Sequence, residues 1–492
     1  MGEWVSGSVE AWRYGRVEEW MHEREPLSTP PGFQRFKHGI VEERSDVYHA
    51  THPTRVLTAP SLMVQTIPQA SSLRGTVALP ADKSISHRSA ILSALGESRS
   101  RVYNFPTSAD PQSTLDCVRT LGIDTERDDE GVLTIRGRGL EGLRPPSTPL
   151  DCGNSGTTMR LLSGVMAGQK FGSVLTGDES LRQRPMERIA DPLQAMGARI
   201  TLRSDHAPIR VRGTQSGLNP IEYRLPVASA QVKSCVLLAG LYANGRTVVI
   251  ESTPSRDHTE RMLGLEVQEV GGERYVVVEE GHTVPAANWS VPGDFSGAAF
   301  FLVAGLLVPD SELHLDDVGL NPSRTALLDV LDGMGADITI ENERLQGSEP
   351  VGDITVRSAS LTGIDVGGRL IPNLIDEIPV IAVAAACAAG RTEIRDAEEL
   401  RVKETDRLHA MAQNLTALGA EVQEREDGLI IDGNGPNLLG GTVKSYDDHR
   451  IAMAMGVAGL VAHGTTTVAD AECARVSFPG FWDELARVTS FE

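Results

Sequence analysis

Residues 82–95, DKSISHRSAILSAL, place a polar cluster directly ahead of a run of small and branched apolar residues. Asp and Ser are typical N-cap residues, and a helix that is apolar on most sides must be buried. The same arrangement returns five more times, at intervals of 65 to 82 residues, which is too regular for unrelated helices. The further instances begin at Asn154, Ser229, Asp294, Asp376 and Asp448. The chain is therefore predicted to consist of six related units.

A second helix in most units is predicted to end at a glycine, because glycine suits the left-handed cap of a helix. The words LGIDT, MGARI, LGLEV, MGADI and LGAEV carry these glycines, which are Gly122, Gly197, Gly264, Gly335 and Gly419. Stretches such as RTVVI and YVVVEE are rich in β-branched residues and indicate strands between the helices. We therefore expect an α/β protein with three units per domain, buried helices inside and sheets outside.

The length of 492 residues is too great for one ordinary core, so the six units are expected to form two domains. The predicted domains are residues 83–293 and residues 63–82 plus 294–492. Residues 1–62 hold three of the five Trp and no sustained apolar period, which indicates an appended segment of low order. A real extension and a misassigned start both remain open for that segment.

The formal net charge of −21 argues against nucleic acid or an anionic membrane as a partner, because either needs a broad basic surface. The five cysteines are scattered without metal-ligand spacing, so we expect reduced thiols in a cytoplasmic protein and no metal site. The apolar runs are shorter than the roughly 20 residues of a membrane span. An anionic ligand would need a local basic pocket.

The helix starts predict such a pocket. If the buried helices of each domain run the same way, six N-termini with unpaired N–H groups face one cleft between the domains. For any single unit, N-capping alone explains the polar cluster. The clusters also carry basic residues that capping does not require, namely Lys83, Arg88, Arg160, Lys233 and Arg450. The sequence therefore predicts an anion site at the cleft.

Several sequence motifs supply glycines or charged residues at or near these helix starts. GNSGTTMR, residues 153–160, has two glycines that let backbone N–H groups approach an anion, and RQRPMER holds Arg182, Arg184 and Arg188. RVKETDR, residues 401–407, is the densest charge cluster, for which a solvated ladder of ion pairs is the competing interpretation. DDHR, residues 447–450, opens an apolar helix and so places charges where burial is expected.

In these sequence motifs and in their order along the chain, the protein resembles the 5-enolpyruvylshikimate-3-phosphate (EPSP) synthase family. The matching words are LPADKSISHR, GNSGTTMR, RPM, SAQVKS, SRDHTE, PGDFS, DEIP, RVKETDR, DDHR and SFPGF, which span roughly residues 65–492. The resemblance implies an inverted α/β barrel of two domains with three repeats each. It also implies a metal-free, cofactor-free enzyme of the shikimate pathway, leading to chorismate and aromatic amino acids. Its substrates would be shikimate 3-phosphate and phosphoenolpyruvate, and we expect a monomer.

The resemblance assigns substrate contacts residue by residue. Shikimate 3-phosphate would be held by Lys83, Ser84, Arg88, Ser229, Ala230, Gln231, Ser252 and Lys403. Phosphoenolpyruvate would be held by Lys83, Gly156, Arg184, Gln231, Arg407 and Arg450. Asp376 would contact the shikimate hydroxyls and accept a proton. Glu404 is the candidate acid toward the methylene carbon, with Lys83 and His449 as alternates. Burial would raise the pKa of Glu404 and its cationic neighbours would lower it, an opposition that the sequence leaves open.

Two departures place the chain near the second class of the family. Val476 stands where better-studied members have a lysine, and Ala230 stands where they have a serine. The family's inhibitor glyphosate competes with phosphoenolpyruvate, and Gly156 predicts that this enzyme is inhibited. Val476 replaces a lysine that would attract the anionic inhibitor, and Leu161 stands where other members often have a proline that shapes the helix of Gly156.

Two alternatives remain. The enolpyruvyl transferase that acts on UDP-N-acetylglucosamine has the same fold, but it lacks RVKETDR and uses a loop cysteine. A non-catalytic ligand-binding relative would not need Lys83, Asp376, Glu404 and Arg407 together.

Overall fold

The computed structural model describes residues 64–491. Six of its helices are buried at almost every position, and each begins within two residues of a predicted start. We call them core helices one to six in chain order. They are Lys83–Leu95, Gly156–Ala167, Ala230–Gly240, Phe295–Leu307, Ile378–Cys387 and His449–Val461. The predicted six-fold pattern is confirmed.

Four predicted N-caps are confirmed, because their side chains accept a backbone N–H of the first helical turn. These residues are Asp82, Ser229, Asp294 and Asp448. The start of core helix two differs by one residue: Ser155 is the cap, and the amide of Asn154 donates to Asp178 instead. The polar cluster was predicted correctly, while the identity of the capping side chain depended on local geometry.

Asp376 is not a cap, although its position in the repeat predicts one. Glu377 occupies the N-cap position of core helix five and makes no side-chain capping bond. Pro379 lies in the first turn of that helix and has no N–H to be capped. The Asp376 carboxylate is therefore available for interactions outside the helix.

The second helices are also confirmed. Their bounds are Ala109–Thr120, Glu187–Ala195, His258–Leu263, Ala326–Met334 and Arg407–Ala417. All five predicted glycines have φ between +65° and +94°, a conformation that a Cβ atom disfavours. The remaining short helices are Glu179–Arg182, Gly368–Leu370, Ile371–Leu374, Glu398–Val402, Ala471–Val476 and Phe481–Val488.

The described strands form six sheets, and the strands of each sheet are named in their spatial order. Three sheets draw on residues 99–290, and the strands of the first are Trp289–Ser290, Arg99–Tyr103, Leu133–Arg136 and Asp124–Arg127. The strands of the second are Leu150–Asp151, Ser173–Thr176, His206–Arg212 and Arg199–Arg203. The strands of the third are Glu222–Arg224, Thr247–Glu251, Glu273–Val278 and Glu266–Val270. The strands of the fourth sheet are Asp337–Gln346, Glu349–Arg357, Glu312–Gly319, Ala70–Val77 and Thr489–Phe491. The strands of the fifth are Asp365–Val366, Ala389–Ile394, Leu429–Asn434 and Glu421–Glu424. The strands of the sixth are Gln65–Pro68, Thr465–Ala469 and Thr442–Lys444. Several sheets share one order, a parallel pair followed by two antiparallel partners. This recurrence is what repeated units predict.

Two large hydrophobic clusters fill the interior. One contains buried residues from Ala81 to Val291, and the other contains residues 67–77 together with residues 295–488. Strand Ala70–Val77 pairs with Glu312–Gly319, so the beginning of the described chain joins the later half. We call these the first half and the second half of the fold. They support the predicted domain boundaries, 83–293 and 63–82 plus 294–492, which we propose.

Within residues 64–491, no single helix has the length and apolar composition needed to cross a membrane. One pair, Gly368–Leu374 with Ile378–Cys387, meets that requirement only when its members are joined, and it is bent by 112°. The second member of the pair is core helix five. The predicted low-order segment, residues 1–62, lies outside the described residues.

Candidate active site

A cleft between the two halves collects charged side chains from both. Nine basic residues line it: Lys83, Arg160, Arg184, Arg188, Arg256, Arg324, Lys403, Arg407 and Arg450. Five carboxylates line it as well: Asp110, Asp294, Asp376, Glu399 and Glu404. The cleft is thus locally basic in a chain whose formal net charge is −21. This is the local basic pocket that an anionic ligand requires.

All six core helices present their beginnings to this cleft. Ser84, Gly156, Ala230 and Ser296 lie in the first turns of core helices one to four and line the cleft. Asp376 precedes core helix five, and His449 and Arg450 begin core helix six. N–H groups at a helix start carry a partial positive charge, so this convergence adds to the basic potential of the side chains.

Asp376 lies among three arginines. Arg256 donates to its Oδ2, Arg450 Nη2 lies 3.6 Å from the same oxygen, and Arg407 Nη1 lies 3.5 Å from Oδ1. Burial acts to raise the pKa of Asp376, but Arg450 and Arg256 together with further cations outweigh it and hold the pKa well below its usual range. The carboxylate is therefore ionised, as a proton acceptor must be.

Glu404 has a similar environment from other partners. Its carboxylate accepts from Arg407 Nη2 at 2.7 Å and lies 3.3 Å from Arg184 Nη1 in the first half. Burial acts to raise the pKa of Glu404, but Arg407, Arg184 and further cationic neighbours hold it well below its usual range. The opposition that the sequence left open is thus decided in favour of the cations.

Arg407 is the central cation, and its side chain is only 1% exposed. Its Nε donates to Asp448 at 2.7 Å, so the residue that caps core helix six also holds this guanidinium in place. Burial acts to lower the pKa of Arg407, but Asp448, Glu404 and Asp376 raise it above its ordinary value. Arg407 is a permanent positive charge between the two candidate catalytic carboxylates.

Other predicted substrate ligands are held by polar partners. Lys83 Nζ lies 2.5 Å from Asp110, and Lys403 Nζ lies 2.9 Å from Glu399. Arg184 donates to the Asn154 amide oxygen at 2.6 Å. These contacts pre-orient long flexible cations that would otherwise lose more side-chain entropy on binding an anion.

Core helix three brings its predicted residues to the same wall of the cleft. Ser229 accepts the N–H of Val232 as an N-cap, and Ala230 begins the helix. The Gln231 side chain accepts from Arg160 and donates to Thr157 at 3.0 Å. Its amide is therefore fixed beside the start of core helix two.

Two predicted ligands lie elsewhere. Arg88 is buried behind the cleft and donates to Thr259 at 2.7 Å and to Ser234 at 2.8 Å, and burial lowers its pKa to about 10. Ser252 lines a neighbouring groove and donates to Glu273 at 2.8 Å. Neither lines the cleft, because each side chain is engaged by a partner within the first half. Their predicted substrate contacts remain predictions.

Four basic residues line the cleft that were not assigned to either substrate: Arg160, Arg188, Arg256 and Arg324. Arg160 and Arg256 lie in words that the sequence analysis singled out, GNSGTTMR and SRDHTE, so a basic residue beside a helix start was the available signal. Arg324 follows the word NPS and is buried against Ser296. No local pattern placed it near core helix four.

His449, an alternate candidate acid, is buried at the start of core helix six. Burial lowers its pKa well below the usual value, and the charges of Lys83 and Arg450 lower it further. A neutral imidazole is a poor proton donor at neutral pH, so this environment favours Glu404 or Lys83 over His449.

This fold is shared with a solved enolpyruvyl transferase. The enolpyruvyl transferase NikO from Streptomyces tendae matches with a TM-score of 0.71 at 19% sequence identity, over 87% of this chain and 98% of NikO, a likeness that shows the fold alone. The chain belongs to the EPSP synthase (3-phosphoshikimate 1-carboxyvinyltransferase) family, whose model matches residues 67–485.

Relatives within the family are close. The 3-phosphoshikimate 1-carboxyvinyltransferase of Salinibacter ruber is 88% identical over 428 residues, which are 87% of this chain and 100% of the relative. That of Gloeobacter violaceus is 53% identical over 426 residues, 86% of this chain and 98% of the relative. The structure of EPSP synthase from Acinetobacter baumannii has a TM-score of 0.78 at 43% identity, over 88% of this chain and 99% of that one.

These findings confirm the predicted family, the two-domain α/β fold and the assignment as a transferase enzyme of this family. They do not favour the UDP-N-acetylglucosamine enzyme or a non-catalytic relative. The placement in the second class of the family stays a prediction, as does the expected absence of a metal and a cofactor.

Removing residues 1–62 is expected to leave kcat and both KM values unchanged. Every predicted motif begins after Met63, and the family match begins at residue 67. Steady-state kinetics of the truncated and full-length proteins test this. A control that removes residues 1–77 also deletes strands Gln65–Pro68 and Ala70–Val77 and should fail to fold. A folded protein without residues 1–62 that had lost turnover would contradict the prediction.

Proposed function

We propose that this protein transfers the enolpyruvyl group of phosphoenolpyruvate to the 5-hydroxyl of shikimate 3-phosphate and releases phosphate. The reaction would serve the shikimate pathway toward chorismate and aromatic amino acids. One observation carries the proposal: nine basic side chains from both halves surround Asp376 and Glu404 in a strongly acidic chain. Two phosphorylated substrates need such a pocket to offset their charge.

In this proposal the substrates divide the cleft between them. Shikimate 3-phosphate is held by Lys83, Ser84, Ser229, Ala230, Gln231 and Lys403, with Arg88 and Ser252 from adjoining positions. Phosphoenolpyruvate is held by Lys83, Gly156, Arg184, Gln231, Arg407 and Arg450. The support is that all of these except Arg88 and Ser252 line one cleft. Arginine can bind phosphate and carboxylate in a bidentate manner, which adds orientation to charge.

The chemistry proceeds by addition and elimination. Asp376 takes the proton of the 5-hydroxyl while that oxygen attacks C2 of phosphoenolpyruvate. The electrons of the C2–C3 double bond meanwhile take a proton from Glu404 at C3. The resulting tetrahedral adduct expels phosphate from C2 while its methyl group returns one proton to Glu404, which restores the double bond. Asp376 passes the hydroxyl proton to the departing phosphate, so both carboxylates end in their starting states.

The substrates themselves help to prepare Glu404. Its cationic neighbours hold its pKa well below the usual range in the described structure. Phosphate and carboxylate groups bound to Arg184 and Arg407 would offset those cations, and burial would then act to raise the pKa. The acid is thus expected to become protonated only when the anionic substrates are bound.

Phosphate release in the presence of both substrates tests the proposed function. We expect turnover with shikimate 3-phosphate and phosphoenolpyruvate, and none when either is omitted. Replacing shikimate 3-phosphate with UDP-N-acetylglucosamine should also give none. A folded enzyme that releases no phosphate with both substrates would refute the proposal.

We also propose a cytoplasmic monomer. The support for the location is the scatter of five cysteines, all of which are free thiols in the structure. The support for a monomer is that both halves of the cleft come from one chain.

Replacing Gly156 with Ala is expected to weaken glyphosate inhibition by about tenfold or more, with a smaller rise in the KM of phosphoenolpyruvate. A Cβ at Gly156 would lie 3.3 Å from Arg160 Nη1, so this guanidinium must shift by a few tenths of an ångström, and it would lie 3.4 Å from Arg184 Nη1. The longer inhibitor tolerates such a shift less well than the substrate. Inhibition constants of both proteins at fixed salt measure the effect.

Gly297→Ala is the matched control, because Gly297 lines the same cleft but its added Cβ would meet Pro80 and Phe478 rather than a cation. Its inhibition constant should stay within about twofold of the original, since an ordinary contact needs little relaxation. Equal inhibition of Gly156→Ala and the unaltered enzyme would mean that Gly156 does not border the inhibitor.

A further inference from the structure

A buried polar cluster joins the two halves of the fold behind the cleft. Asp257 and His258 lie at the start of helix His258–Leu263 in the first half. Asn321, Ser323 and Glu349 belong to the second half, where Glu349 begins a strand. We call these five residues the clasp. Asn321, Glu349 and His258 are each less than 5% exposed.

Asn321 is the centre of the clasp. Its amide nitrogen donates to Asp257 Oδ1 and to Glu349 Oε2, each at 2.8 Å. Its amide oxygen accepts from the backbone N–H of Ser323 at 2.9 Å and from the Ser323 hydroxyl at 2.7 Å. This buried side chain therefore uses both of its donor hydrogens and both acceptor positions. Two of the four bonds lead to carboxylates, one in each half.

The other members close the cluster. His258 Nδ1 lies 2.9 Å from Glu349 Oε1, and the Asp257 backbone N–H donates to the Ser323 hydroxyl at 3.2 Å. Separating the halves here would break the bond from Asn321 to Asp257 and the contact of His258 with Glu349, a loss that is costly in a low-dielectric interior. The clasp therefore favours one relative position of these two segments over a range of positions.

Two cleft cations are attached directly to the clasp. Arg256 precedes Asp257 and donates to Asp376, and Arg324 follows Ser323 and lies against Ser296 of core helix four. Adjacent Cα atoms are only about 3.8 Å apart, so holding Asp257 also holds the backbone from which Arg256 extends. Asp257 and Arg256 belong to the word SRDHTE, and Asn321 and Arg324 belong to NPSR. The structure brings these two words together.

We infer that the clasp is a positioning device that holds Arg256 against Asp376, and thereby sets the affinity for shikimate 3-phosphate. This inference rests on the proposed function, in which Asp376 contacts the shikimate hydroxyls. Asn321 touches neither substrate in this scheme and acts through Arg256. The clasp thus fixes Arg256, a cation of the first half, beside Asp376, the proposed base in the second half.

Asn321→Ala tests the clasp. We expect the KM of shikimate 3-phosphate to rise about tenfold or more while kcat falls by less than about threefold, because binding geometry is lost and the reacting groups remain. Asn414→Ala is the matched control. Asn414 is equally buried and bonds to the backbone N–H and C=O of Lys444, but both residues lie in the second half. The control should lower thermal stability without changing that KM.

Ser323→Ala is a milder companion that removes only hydroxyl contacts and keeps the protein folded if Asn321→Ala does not fold. The same KM should rise in it by about threefold, in line with the loss of weaker hydrogen bonds. If either folded clasp variant has the KM of the unaltered enzyme, or if the control raises KM equally, the inference is overturned.

A double-mutant cycle isolates the route through Arg256. In an Arg256→Gln background, Asn321→Ala should change the KM of shikimate 3-phosphate by less than about twofold, because its target is already gone. An equal fold-change in both backgrounds would overturn the role assigned to Arg256. Absence of turnover in the unaltered enzyme would instead refute the proposed function itself, so the two failures are distinguishable.

Discussion

Asp376→Asn is expected to lower kcat by about 100-fold or more while the binding of shikimate 3-phosphate is largely kept. The amide keeps the size of the side chain and part of its hydrogen bonding, but it cannot accept the hydroxyl proton. It also removes a negative charge that lies near Arg256, Arg407 and Arg450. The amide oxygen can still accept from Arg256, so the position of that cation and the affinity for shikimate 3-phosphate should be largely kept.

Steady-state kinetics combined with calorimetric titration of shikimate 3-phosphate measure the two effects separately. Glu399→Gln is the control, because Glu399 also lines the cleft but pairs with Lys403 and Arg188 rather than with a proposed reacting group. Its kcat should change by less than about threefold. A near-normal kcat in Asp376→Asn would remove this residue from the mechanism.

Glu404→Gln is expected to lower kcat by about 100-fold or more, with the KM of phosphoenolpyruvate unchanged or lower. A glutamine amide cannot protonate C3 of the substrate. Arg407 and Arg184 lose a carboxylate that lies within 3.3 Å of them, so they become more available to the substrate anion. A drop in kcat without a rise in KM is the mark of a group needed for the chemical step.

Incorporation of solvent deuterium at C3 of phosphoenolpyruvate gives a second measurement. The unaltered enzyme should place deuterium at C3 during turnover in D₂O, and Glu404→Gln should do so at a rate reduced in proportion to kcat. If the variant retains a normal rate of incorporation, Glu404 is not the acid. Lys83 would then be the remaining candidate, since His449 is held neutral by burial.

Much of the fold could be predicted because its signals are local. An N-cap, an apolar helix and a terminal glycine lie within about 15 to 20 consecutive residues, and their order is set by helix geometry. Five glycines predicted at helix ends therefore have positive φ, and six core helices begin where the polar clusters predicted. The Asp376 cap was wrong because Pro379 changes what the first turn of core helix five needs.

The candidate site was predictable in composition but not in detail. Basic residues beside helix starts indicated the cleft, and most of the predicted ligands line it. Arg88 and Ser252 do not, because partners such as Thr259 and Glu273 engage their side chains. Those partners lie on other segments of the first half, so the spacing of residues along the chain does not predict the contacts. Arg324 was not predicted to line the cleft because its partner, Ser296, is close to it in space but not in sequence.

The sequence by itself determined the family, the six units and the types of charged residue at each helix start, because these are properties of short words and their order. Only the tertiary structure decided the direction in which the pKa values of Asp376 and Glu404 are shifted, and only the tertiary structure formed the clasp. A pKa depends on distances to charges such as Arg184 and Arg256, which come from the other half of the fold. Coulomb energies and hydrogen bonds act through space, so their balance is set only when both halves are packed together.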